Sequence, residues 1–263
     1  MLSVTTAQLD AWIAAFFYPL ARILALMAVA PAFGNAGVPR RIRLLAGIAV
    51  TVGLAPALPA IPPIPPASGD GVLVLFHQVL IGFALGFVMR LAFAAIDLAG
   101  ELAGLQMGLS FAVFYDPQNT AQTAIVAEFL GLIATLVFLS LNGHLMLLAV
   151  LARSFELVPI GPAALPADGF GTVLRWGATL FAAGVLLSLP LIAALLITNI
   201  ALGVLTRAAP QLNLFAVGFP VTLVVGFSAL ALSLTYMAPA FQNLFEQGLD
   251  TMERLLAAWA PAA

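Results

Sequence analysis

The chain contains no cysteine and no lysine, so all nine of its basic residues are arginines. Without cysteine there are no disulfides, iron–sulfur clusters or thiol nucleophiles, and the redox compartment is left open. Without lysine there is no Schiff-base chemistry, no phosphate-loop lysine and no Ser–Lys dyad. Charge of either sign is also scarce. Only 8% of residues are charged, against about a quarter in an ordinary soluble domain. The net charge is −2 and the one basic cluster is Arg40-Arg41-Ile42-Arg43, so nucleic acid is not an expected partner. The two histidines, His77 and His144, have no Glu or His companion at zinc-site spacing, so no metal is expected. The first ten residues hold one Asp and no Arg or Lys, so no cleavable signal peptide is expected.

What the chain does have is apolar surface. It is 63% hydrophobic, with a mean hydropathy of +1.14 over 263 residues. Six apolar stretches fall at about 11–34, 44–61, 72–96, 124–151, 173–206 and 212–245. Each is near or above the ~20 residues that a spanning helix needs. The last two are too long for one simple crossing, which predicts tall or tilted helices, or helices outside the usual lipid setting. Pro59-Ala-Ile-Pro62-Pro63-Ile-Pro65-Pro66 predicts an extended strap closed by Ser68-Gly69-Asp70-Gly71. The Pro/Gly-rich segment 159–171 marks a boundary between four earlier segments and two later ones. The arginine cluster is the only basic connector, which the positive-inside rule would place in the cytoplasm.

The polar residues offer little chemistry. Arg90, Asp97 and Glu101 share one helical face, as a proton or ion relay would require. A structural ion pair is the preferred reading, because no second acidic stripe exists to complete a relay. His144, within Asn142-Gly143-His144, is expected to be a hydrogen-bonded packing residue. There is no Gly-x-Ser-x-Gly elbow, so no enzyme is expected. Gly100, Gly104 and Gly108 form a small-residue ladder suited to close helix packing. It leads into Gly108-Leu-Ser-Phe111-Ala-Val-Phe114-Tyr115-Asp116-Pro117, an aromatic loop between two membrane-length segments. Irregular backbone at such depth is tolerated only against protein or along a cavity, so the loop is expected to fill a hole. A second interruption, Arg207-Ala-Ala-Pro210-Gln211-Leu-Asn213-Leu-Phe215 with Gly218-Phe-Pro220, reads as a helical-hairpin turn or a contact surface.

That second interruption resembles the signature of the FliR family, flagellar biosynthetic proteins of the type III export apparatus, whose virulence counterparts are the SctT proteins. Pro31-Ala-Phe-Gly34 with Val38-Pro39-Arg40-Arg41, the stretch Gly100–Gly108 through Asp116-Pro117, and Asn142-Gly143-His144 with Ser154-Phe155 and Pro159 agree with it in order. The Phe-Pro after the turn is more similar to flagellar members. Many relatives carry a second His where this chain has Leu145.

The resemblance implies an all-α, membrane-associated export-gate subunit. A FliP-like four-helix part would cover 1–172 and a FliQ-like hairpin 173–263. A plug loop at about 106–122 would use Leu109, Phe111, Val113 and Phe114, with Tyr115 and Asp116 at its rim. Arg207, Pro210, Gln211, Asn213, Phe215 and Pro220 would serve the hairpin and subunit contact. It further implies FliP-like, FliQ-like and FlhB-like partners, the basal-body ring, unfolded substrates, an inner-membrane location in the flagellar basal body, and no cofactor. The alternatives are a virulence-system SctT subunit and an ion-coupled transporter built on Arg90, Asp97 and Glu101.

Overall fold

The computed structural model describes residues 5–34, 37–109, 124–162, 164–209 and 214–261, and within them the chain is helical with no strand. The helices are α1 (Thr6–Val29), α2 (Pro31–Gly34), α3 (Arg40–Leu54), α4 (Gly69–Gln106), α5 (Ile125–Ser140), α6 (Gly143–Leu157), α7 (Ala167–Ala208) and α8 (Leu214–Trp259).

Local chemistry sets several of these boundaries. Thr5 caps α1 through a reciprocal pair, accepting from the Gln8 N–H at 3.3 Å while Gln8 Oε1 accepts from the Thr5 N–H at 3.0 Å. Ser68 starts α4 by accepting the Gly71 N–H at 3.0 Å, and Asp70 in the first turn suits the positive end of the helix dipole. The proline strap is non-helical, follows a short 3₁₀ turn at Ala55–Ala57, and makes a tight turn in which the Ile64 N–H bonds the Pro62 carbonyl at 2.8 Å.

The apolar stretch 124–151 is not one helix. Asn142, at φ 57° and ψ 27°, adopts the left-handed conformation that its short amide tolerates, which ends α5 and restarts the chain as α6. The third stretch runs ten residues beyond its apolar limit, because α4 continues through Asp97 and Glu101 to Gln106. Polar residues do not stop a helix that still has packed neighbours.

Four helices, including most of α1 and all of α4 and α7, are long and apolar enough to cross a membrane, or five if α5 and α6 form one broken span. The chain is a multi-pass membrane protein. At 1.5 Å per residue α7 and α8 run about 63 and 69 Å, twice the ~30 Å hydrocarbon core, so parts of both stand outside it.

The chain divides into two compact units. One comprises Met1–Leu91, Leu139–Gly177 and Phe245–Ala263, the other Ala92–Phe138 and Ala178–Leu244. The helices α4, α7 and α8 each contribute to both units.

In the first unit, α1 lies close on α4. A β-carbon on Gly82 would run into the Arg22 carbonyl, and one on Gly86 would approach the Leu26 carbonyl to 2.8 Å. Tyr18 and Arg22, one turn apart on α1, are both fully buried. The Tyr18 hydroxyl donates to the Ile64 carbonyl at 3.0 Å and so ties the proline strap to α1. Trp176 on α7 donates its indole N–H to the Val88 carbonyl of α4 at 2.8 Å. Trp259, at the end of α8, donates to the Pro166 carbonyl at 3.1 Å and meets Phe170 edge-on. The second unit is packed around Ile96, Met107, Leu130, Phe138, Leu195 and Phe241.

Candidate functional site

The residues that frame the aromatic loop belong to the second unit. Gly100 lies directly against the backbone of Ala127, where a β-carbon would stand 2.7 Å from the Ala127 nitrogen. Gly104 is looser: among the described residues only Val126 Cγ2, at 3.9 Å, comes near such a carbon. Gly108 lies just beyond the last helical residue of α4. It adopts φ 78°, and its N–H bonds the Leu105 carbonyl while the Leu109 N–H bonds the Gly104 carbonyl, both at 3.1 Å. This pair of bonds is a Schellman cap, whose left-handed position favours glycine because it has no β-carbon. The ladder therefore serves two purposes, close packing at Gly100 and helix termination at Gly108.

The end of α4 is also held by α8. Met107 is fully buried and covers Gly226, where a β-carbon would meet the Met107 sulfur at 3.0 Å. Thr222 Oγ1 approaches the Met107 carbonyl at 3.5 Å and donates to the Phe219 carbonyl at 2.9 Å. Beyond this anchor Leu109 is half-buried. Phe111, Val113, Phe114, Tyr115 and Asp116 lie outside the described residues. In the same unit α5 and α8 line an open apolar hollow of about 330 Å³ formed by Ile125, Val126, Phe129, Phe227, Leu230, Ala231 and Leu234. This lining can exclude water and pack hydrocarbon, and it offers no acid, base or nucleophile.

The other expected residues are dispersed. Arg90 and Glu101 are exposed on α4, while Asp97 is half-buried with its carboxylate facing Gly131 of α5. His144 is half-buried on α6, and its Nδ1 has no hydrogen-bond partner among the described residues. At that atom the expected hydrogen bond is missing. Arg207 is exposed in the last turn of α7, where a cation suits the negative helix end. Pro220 is exposed within α8. Pro210, Gln211 and Asn213 lie outside the described residues, as does the Phe215 side chain.

The sequence marks Arg22 only as a charge in an apolar run. Arg22 is fully buried, and its guanidinium makes five hydrogen bonds. The available signal was an arginine inside one apolar run and Gln78 inside another. Each needs a partner wherever it is buried.

The surface of α7 and α8 is more apolar than that of an ordinary soluble monomer, with Leu174 76%, Ile197 69% and Leu232 75% exposed. Residues 13–248 match the family model described as bacterial export proteins, family 1. The chain is 43% identical to the flagellar biosynthetic protein FliR of Pectobacterium carotovorum subsp. carotovorum, over 97% of this chain and 98% of that protein. It is 43% identical to the FliR of Escherichia coli (strain K12), over 94% of each, and 31% identical to that of Bacillus subtilis (strain 168), over 92% of this chain and 95% of the relative. A likeness this long, in an all-helical membrane chain, identifies the protein's kin: it belongs to the bacterial export proteins, family 1.

Proposed function

We propose that the chain is a core, non-enzymatic subunit of the flagellar type III export gate, forming and plugging the channel through which unfolded substrates pass. The near full-length likeness to FliR proteins carries the export role. The plug assignment rests on the loop between Gly108 and Ala124, whose two ends are supported by α4 and α5 where Gly100 meets Ala127. Phe111 and Phe114, with Leu109 and Val113, would close the channel by apolar packing and dewetting, with Tyr115 and Asp116 at the rim. Displacing them for a polypeptide costs lost apolar contact, at roughly 25 cal/mol per Å². The energy for transport comes from other components, because lysine, and with it the phosphate-loop lysine, is absent.

In this reading residues 1–172 act as a FliP-like part and 173–263 as a FliQ-like hairpin. The partners are FliP-like and FliQ-like helices, a FlhB-like subunit and the basal-body ring. Protein partners also account for apolar helices longer than lipid can cover. Arg90, Asp97 and Glu101 then serve assembly, not ion transport. The test is purification of the tagged full-length chain in mild detergent. FliP-like and FliQ-like proteins should come with it in fixed ratio, and recovery of the chain alone from a flagellated cell would contradict the reading.

A further inference from the structure

Arg22 lies in the first unit with no carboxylate beside it among the described residues. Its Nε and Nη2 donate to Gln78 Oε1 at 2.9 and 2.6 Å. Nη1 donates to the Ser154 carbonyl and hydroxyl at 2.8 and 3.0 Å, and Nη2 also reaches the Val158 carbonyl at 2.9 Å. The five guanidinium N–H groups therefore match five acceptor contacts, leaving no donor for an anion. Phe155 covers the guanidinium face at 4.2 Å from its ring centroid. Gln78 and Ser154 are as fully buried as Arg22.

The acceptors explain how a lone cation is tolerated. Ser154 and Val158 lie at the C-terminal end of α6, the negative end of the helix dipole, and the Ser154 carbonyl accepts the Val158 N–H as well as the guanidinium. Those two carbonyls are four residues apart and both accept from the one guanidinium. Holding both fixes the rotation of α6 about its own axis as well as its distance from α1. The consequence is visible in burial. Leu147, Val150, Leu151, Ser154 and Phe155 face inward, while Leu145, Met146, Ala149, Arg153 and Glu156 face outward. A slip of one residue would turn the helix by about 100° and bury part of the charged face.

We propose that Arg22 is a positioning residue: its guanidinium keys the rotation of α6 against α1 and α4, and export depends on the outward face that this rotation presents. The inference stands on the family's export role and is independent of the plug. Lysine cannot replace the arginine, since a compact ammonium cannot reach Gln78 and both carbonyls from one planar fork.

The experiment uses the full chain in cells lacking the native gene. Arg153 on α6 and Glu253 on α8 are in contact through an exposed ion pair of 3.0 Å, so cysteines at these positions report where the α6 end lies. The chain has no other thiol. Yield with a short bifunctional maleimide, secretion of export substrate and chain abundance are measured in three backgrounds: parent, Arg22→Lys, and Arg22→Met with Gln78→Leu. The double variant fills the site with apolar atoms and should restore abundance. Cross-linking and secretion should each fall by about fivefold or more in both variants, per chain present, because no fork holds the two carbonyls. Recovery of secretion along with abundance in the double variant would overturn the proposal, as would parental cross-linking in Arg22→Lys. Failure of both variants to accumulate would also overturn it, leaving Arg22 a folding residue alone.

Discussion

Gly100 and Ala127 bring the backbones of α4 and α5 into direct contact, with a β-carbon on the glycine placed 3.0 Å from the Ala127 β-carbon and closer still to its main chain. Backbone cannot move aside as a flexible side chain can. Gly100→Ala should therefore destabilise the detergent-solubilised protein by about 1–3 kcal/mol. Gly104→Ala is the internal control. Among the described residues its new methyl meets only Val126 Cγ2 at 3.9 Å, so helix propensity dominates and the change should be neutral or stabilising by up to about 1 kcal/mol. Thermal unfolding of the two variants side by side checks the asymmetry.

Gly108 should respond to a different rule. At φ 78° it caps α4, and a β-carbon in the left-handed region costs about 1–2 kcal/mol. Gly108→Ala should lose about that amount, whereas Gly108→Asn should recover part of it, because asparagine tolerates this conformation. Equal destabilisation by the two would mean that the space around Gly108, and not its conformation, matters.

Trp259 holds the end of α8 through one hydrogen bond and a ring contact. Trp259→Phe retains much of the ring and loses the bond, so a cost of about 0.5–1.5 kcal/mol is expected. Gly169→Ala should cost more, because a β-carbon there would run into the Trp259 indole. Unfolding monitored by tryptophan fluorescence distinguishes the two.

The fold class, the proline strap and the overlong final helices could be read from residue types, because proline, hydropathy and length act locally. Hydropathy does not show the break at Asn142, because it is blind to backbone conformation; the local signal for it is the Asn-Gly pair, which favours a turn. The roles of Gly100 and Gly108 could not be separated by spacing alone. One meets Ala127, 27 positions on, and the other ends its own helix. In the sequence Arg22 is only a charge in an apolar run, since its acceptors on Gln78, Ser154 and Val158 are up to 136 residues away. Long-range polar closure of this kind is a property of the packed chain.

The central claim is that the aromatic loop closes a channel. Ion conductance of the purified, fully assembled complex in planar bilayers tests it most directly, comparing the parent with Phe111→Ala plus Phe114→Ala. With its apolar stoppers truncated the assembled complex should leak small ions that the parent excludes. Parental conductance in a double variant that has assembled normally would contradict the plug.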